Sequence, residues 1–204
     1  MVTVKQFLAY IGKFAFGSLL LLLLTGCYVA SIHPLAALNQ RIFDKELVGG
    51  WANGHDTLRI SGENIDNLEF DVTEGPSVLS DSARSGSLSL LLTNIDDQTF
   101  MDVRPADVQE SKSPILEQML LVPMHAIIRY TIHQDTLSIQ YLNYTELRRL
   151  SEAGKLRGLD VENVADDGPI VITSSTSKLR DFLSDHKKDD QLYADPIHYL
   201  RLKP

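Results

Sequence analysis

The chain has one cysteine, Cys27, among its 204 residues, so no disulfide can form within it. Its six histidines, His33, His55, His125, His133, His186 and His198, include no i, i+4 pair and no Cys/His cluster at zinc spacing. No metal site and no cofactor is expected. There is no Gly-x-Ser-x-Gly element of the kind that strains a nucleophilic serine into the open. Ser85-Gly86-Ser87 does not fit it, and Ser174-Ser175-Thr176 reads as a helix start. The paired carboxylates Asp96-Asp97, Asp166-Asp167 and Asp189-Asp190 each fall in a turn, where solvation explains them. The expectation is a protein that is not an enzyme, with no catalytic residue to name. Basic residues are also scarce, 19 against 27 acids. That balance disfavours nucleic-acid binding, which needs clustered cations.

One long apolar run is present. Phe14-Ala15-Phe16-Gly17-Ser18 leads into six leucines, Leu19 to Leu24, and then Thr25-Gly26-Cys27. Lys5 and Lys13 precede it with no acid, the charge pattern of an export signal. Eleven apolar residues make a helix of about 17 Å at ~1.5 Å per residue. A hydrocarbon core of ~30 Å needs ~20 residues, so the run is short for a permanent span.

Leu24-Thr25-Gly26-Cys27 resembles the lipobox of bacterial lipoproteins. That resemblance implies a diacylglyceryl group on the Cys27 sulfur, cleavage before Cys27 and acylation of the new amine. Several acyl chains anchor stably where one does not. Tyr28 follows in place of the aspartate that tends to hold enteric lipoproteins at the inner membrane. By analogy this implies a protein on the outer membrane, facing the periplasm. Residues 1–26 are then a signal peptide, 27–45 a tether containing Pro34, and 46–204 the domain. Losing Lys5 and Lys13 takes the formal charge from −8 to −10. The remaining 178 residues suit one domain with a sizeable core.

Past Leu47 the pattern becomes short alternating runs, the mark of strands with one wet face. Thr57 to Ser61, Leu68 to Thr73, Ser87 to Ile95 and Thr99 to Arg104 read this way. So do Met124 to Ile132, Thr136 to Leu142, Pro169 to Thr173 and Ile197 to Lys203. Turns are expected at Asn53-Gly54, Asp96-Asp97-Gln98 and His133-Gln134-Asp135. Asn143 with Glu146 predicts a capped helix that ends near Gly154. A second helix starts after Ser174 or Ser175, with Leu179, Phe182 and Leu183 on one side. Pro105 to Val122 interrupts the strands, and is read as either a lid or a core plug. Asp102 stands within a strand as a candidate structural partner for His125 or Arg129.

Gly49-x-Trp51 at the domain start, about eight strands, a late helix and Arg201 in the last strand together resemble a lipocalin or wider calycin barrel. The resemblance implies Arg201 lying across Trp51. The segments 46–51, 100–103, 123–125 and 170–179 are also similar to a family of bacterial lipoproteins without a settled activity. The expected fold is mainly β: a lipocalin-like antiparallel β-barrel of about eight strands with two short helices. The expected partners are the membrane, through the lipid, and either a small apolar ligand or another envelope protein.

Overall fold

The computed structural model describes residues 28–54, 56–62, 69–74, 84–105, 124–163 and 168–203. Cys27, His55, Asp166-Asp167 and most of the expected lid, from residue 106 on, lie outside them. The described chain is mainly β, with twelve strands and two α-helices among its elements.

Eight strands form the barrel: β3 (Gly49–Ala52), β4 (Asp56–Ser61), β5 (Glu69–Glu74), β6 (Arg84–Ile95), β7 (Gln98–Pro105), β8 (Ala126–His133), β9 (Thr136–Tyr141) and β12 (Ile197–Arg201). Each pairs antiparallel with the next, β12 follows β9, and β12 returns to β3. This is the expected lipocalin-like architecture, an up-and-down sheet curled on itself, which leaves few open edges. β2 (Arg41–Ile42) lies along β6 beyond the end of β5. The turns sit where the short sequences place them. Gly54 has φ +90°, and Asp96 and Gln134 both take φ 53°, a region their turns require.

Alternation fills the barrel. Leu58, Ile60, Leu90, Leu92, Met101, Ile128, Leu137 and Ile139 point inward and are buried together with Trp51. Among the described residues, these side chains pack together inside the barrel, as a barrel of about eight strands allows.

A second core covers the outside of β6 to β8. It contains Leu35, Phe100, Ile127, Leu147, Ile170, Leu179, Phe182 and Leu192. Three pieces supply it. A small sheet is built from β1 (Val29–Ser31), β10 (Val161–Asn163) and β11 (Ile170–Ile172), with β1 parallel to β11. Helix α1 (Tyr144–Glu152) begins at Asn143, whose Oδ1 accepts the Glu146 N–H. Helix α2 (Thr176–Asp185) buries Leu179, Phe182 and Leu183, spaced i, i+3, i+4 on one face.

Two expectations change in detail. Glu146 does not reach back to complete a capping box; its carboxylate binds the Arg149 guanidinium on the next turn. Residues 28–45, read as a tether, are folded onto the domain. β1 pairs with β11, Leu35 is fully buried, and the Pro34 carbonyl accepts from Thr176 Oγ1 at 2.6 Å. No local period announces this, because the partners lie far off in sequence, 67 positions for Leu35 and 142 for Pro34.

Candidate functional site

The site begins with β7, which is buried on both faces. Met101 and Val103 point into the barrel, while Phe100 and Asp102 point into the outer layer. Asp102 is 0% exposed. A carboxylate so placed needs donors, because burial without them is costly. It has two. The Leu35 N–H donates to Oδ2 at 2.7 Å, and His125 Nδ1 lies 2.6 Å from Oδ1.

His125 is held independently of that contact. Its backbone N–H donates to the Ser31 carbonyl at 2.8 Å, and its carbonyl accepts from the Ser31 N–H at 2.9 Å. The strap carrying Ser31 and Leu35 is clamped by α2 as well. Arg180 donates to the Leu35 carbonyl, to Thr93 Oγ1 and to the Asn94 carbonyl. The ring is therefore fixed by a carboxylate at Nδ1, and the backbone that carries it by a two-bond bridge to Ser31. The carboxylate occupies Nδ1 and leaves Nε2 as the ring nitrogen open to another partner. Nε2 makes no hydrogen bond among the described residues.

His125 lines a cavity of about 690 Å³, within the ~300–1,000 Å³ range of small-molecule sites. Leu88, Val103, Ala126 and Tyr141 reach it from the ends of barrel strands, so it opens at the barrel mouth. Val29, Ile127 and Leu142 extend the apolar wall into the outer layer. Polar groups are few: His125, Arg104, Asn143 and Thr145, with the hydroxyls of Tyr28 and Tyr144. The Tyr144 hydroxyl is already engaged, donating to the Gly168 carbonyl and accepting from Arg148.

The second predicted constellation lies elsewhere. Arg201 stands opposite Trp51 across the β12–β3 pair, and its guanidinium carbon is 4.1 Å from the indole centroid. Trp51 is fully buried, and its Nε1–H donates to the Leu47 carbonyl at 2.9 Å. Arg201 also donates to the Val48 and Glu46 carbonyls. Gly49 is dictated here twice over, by φ +140° and by Arg201 Nη1 standing 3.0 Å from where a Cβ would be. This cluster ties the domain entry to the last strand and does not line the cavity.

Asp102 was legible as a residue to question, and the structure pairs it with His125. Arg129 goes instead to Gln140 Oε1 and stacks 3.7 Å over the Tyr193 ring. Sequence reasoning missed Tyr28 to Ala30, Arg104 and the α1 start as cavity walls. The only signal was the apolar run after Cys27, which a tether also allows. Among the described residues, no group of three or more metal-ligating side chains comes together. No described helix is long and apolar enough to cross a membrane. No family model, curated protein or solved structure matches the chain.

Proposed function

We propose that this is a lipid-anchored envelope protein that binds a small apolar molecule and is not an enzyme. The observation that carries the reading is the 690 Å³ cavity, walled mainly by aliphatic and aromatic side chains. The ligand site is the barrel mouth, since the described side chains pack together inside the barrel. Its place in the chain supports the anchor. Tyr28, Val29 and Ala30, which line the cavity, directly follow Cys27, the lipobox cysteine. An acylated Cys27 would hold the cavity close to the bilayer, where apolar molecules are concentrated. Outer-membrane attachment facing the periplasm follows from the lipobox and from Tyr28 after it.

A docking role for another envelope protein has one observation in its favour. Ile197, Leu200 and Leu202 are exposed along the closing strand and just past it. They are three side chains beside a cavity of about 690 Å³, so ligand binding is the preferred reading.

Cys27→Ser tests the anchor. The variant is expected to stay unprocessed or to leave the membrane fraction, read by fractionation and intact mass. A variant that is still cleaved and still membrane-bound contradicts the assignment. Native mass spectrometry of the wild-type protein taken from membranes tests binding, with a co-purified small molecule as the expected result.

A further inference from the structure

The cavity is apolar along most of its wall and polar at one corner, and that corner is built. His125 is 6% exposed, and Asp102 behind it is fully buried. Holding a buried carboxylate against an imidazole is costly unless the pair is completed. Nε2, the one ring atom without a protein partner among the described residues, belongs to a side chain lining the cavity.

The described residues that line the cavity beside it include no carboxylate. Both Asp102 oxygens are already engaged, by the Leu35 N–H and by the His125 ring. Arg104 lines the same cavity. Asn143, Tyr144 and Thr145, the cap and first turn of α1, line it too, and a helix start carries partial positive charge. The acidic residue of that turn, Glu146, is neutralised by Arg149. Burial pushes the Tyr141 phenol of the wall up, so it carries no charge near neutral pH.

We infer that the cavity binds a single-chain amphiphile with an anionic carboxylate head, the head on His125 Nε2–H and the chain along Val29, Val103, Ala126, Ile127 and Leu142. The inference rests on the binding function proposed above and adds the chemistry of the ligand. Asp102 orients the ring through Nδ1 and does not touch the ligand. The contact is a charge-assisted hydrogen bond made by a side chain that is itself buried, where such bonds are strong.

The test compares head groups on one chain length. The protein, purified as the cell makes it and reconstituted in nanodiscs, is photolabelled with dodecanoate carrying a diazirine at its tail. Unlabelled dodecanoate, dodecanol and dodecylamine compete. Dodecanoate is expected to displace the label at a concentration about tenfold below dodecanol, the worth of one charge-assisted hydrogen bond. His125→Leu is expected to bring the two within about threefold, which cancels any difference in how they partition into lipid. Equal displacement by dodecanol in the wild type overturns the carboxylate assignment while leaving apolar binding in place. A preference that survives in His125→Leu removes His125 from the site. Absence of any saturable labelling overturns the binding function and this inference with it.

Discussion

The barrel interior and the layer outside it solve the same problem, burying apolar surface, in different ways. Inside, nearly every contact comes from strands that alternate with period two. The polar atoms of Trp51 and Tyr130 each find one partner, the Leu47 carbonyl and the Asp44 carboxylate. The outer layer is assembled from pieces remote in sequence, β1, β11, α1, α2 and the back of β7. It holds a buried Asp102, a nearly buried His125 and the fully engaged Ser31 and Ser174. The outer seam keeps polar groups at a cost, and the cavity opens along that seam.

The sharpest way to break this contrast is to remove its polar centre. Asp102→Ala strips partners from the Leu35 N–H and from a nearly buried histidine. The expected loss is about 3–5 kcal/mol, as for other broken buried pairs. Leu137→Ala, a fully buried interior residue, should cost a comparable ~2–5 kcal/mol through its cavity alone. The two are separated by Asp102→Leu. An apolar residue of similar volume should restore part of the stability at 102 while leaving His125 without its orienting partner. Urea midpoints at constant slope report all three. An Asp102→Ala loss below about 1 kcal/mol would mean the seam is not organised around the pair.

Arg201→Leu comes next. It removes a cation stacked on Trp51 and two hydrogen bonds to carbonyls of the domain entry. About 2 kcal/mol is expected. Trp51 is the single tryptophan, so its fluorescence and near-ultraviolet dichroism should change with it. Amphiphile binding should survive, because this cluster is not part of the cavity wall.

The smallest effect belongs to Tyr193, in the outer layer. Its hydroxyl is buried without a hydrogen-bond partner among the described residues. Burial pushes its phenol up to about 12, with Arg129 pulling the other way. A phenol raised in the folded state protects stability below the unfolded value, about pH 10, and loses that contribution as pH climbs toward 12. Tyr193→Phe should therefore be about 1 kcal/mol more stable at neutral pH and less sensitive between pH 10 and 12. Thermal melts across that range check both statements. A destabilised Tyr193→Phe would show that the hydroxyl has a partner after all.

The same contrast explains what could be read in advance. The interior strands were legible because each carries its own period, and the turns because Asn53-Gly54, Asp96-Asp97 and Gln134 tolerate their backbone angles. Both helices were legible from their starts and from the Leu179, Phe182, Leu183 stripe. β1, β2 and β10, each only two or three residues long, were not read as strands. The parallel pairing of Val29 with Ile170 has no local signature at all. For the site, sequence could place Asp102 in a strand but not choose its face, because β7 is buried on both. Only the Ser31 bridge, which sets His125 beside it, decides the partner.

The central claim is that ligand sits in the outer seam at the barrel mouth and not within the barrel. A crystal structure of the protein grown with dodecanoate tests it most directly. The account predicts a carboxylate at hydrogen-bond distance from His125 Nε2, with the chain between Val29 and Ile127. Density for the chain among Leu58, Leu92 and Leu137, or a carboxylate turned away from His125, would contradict it.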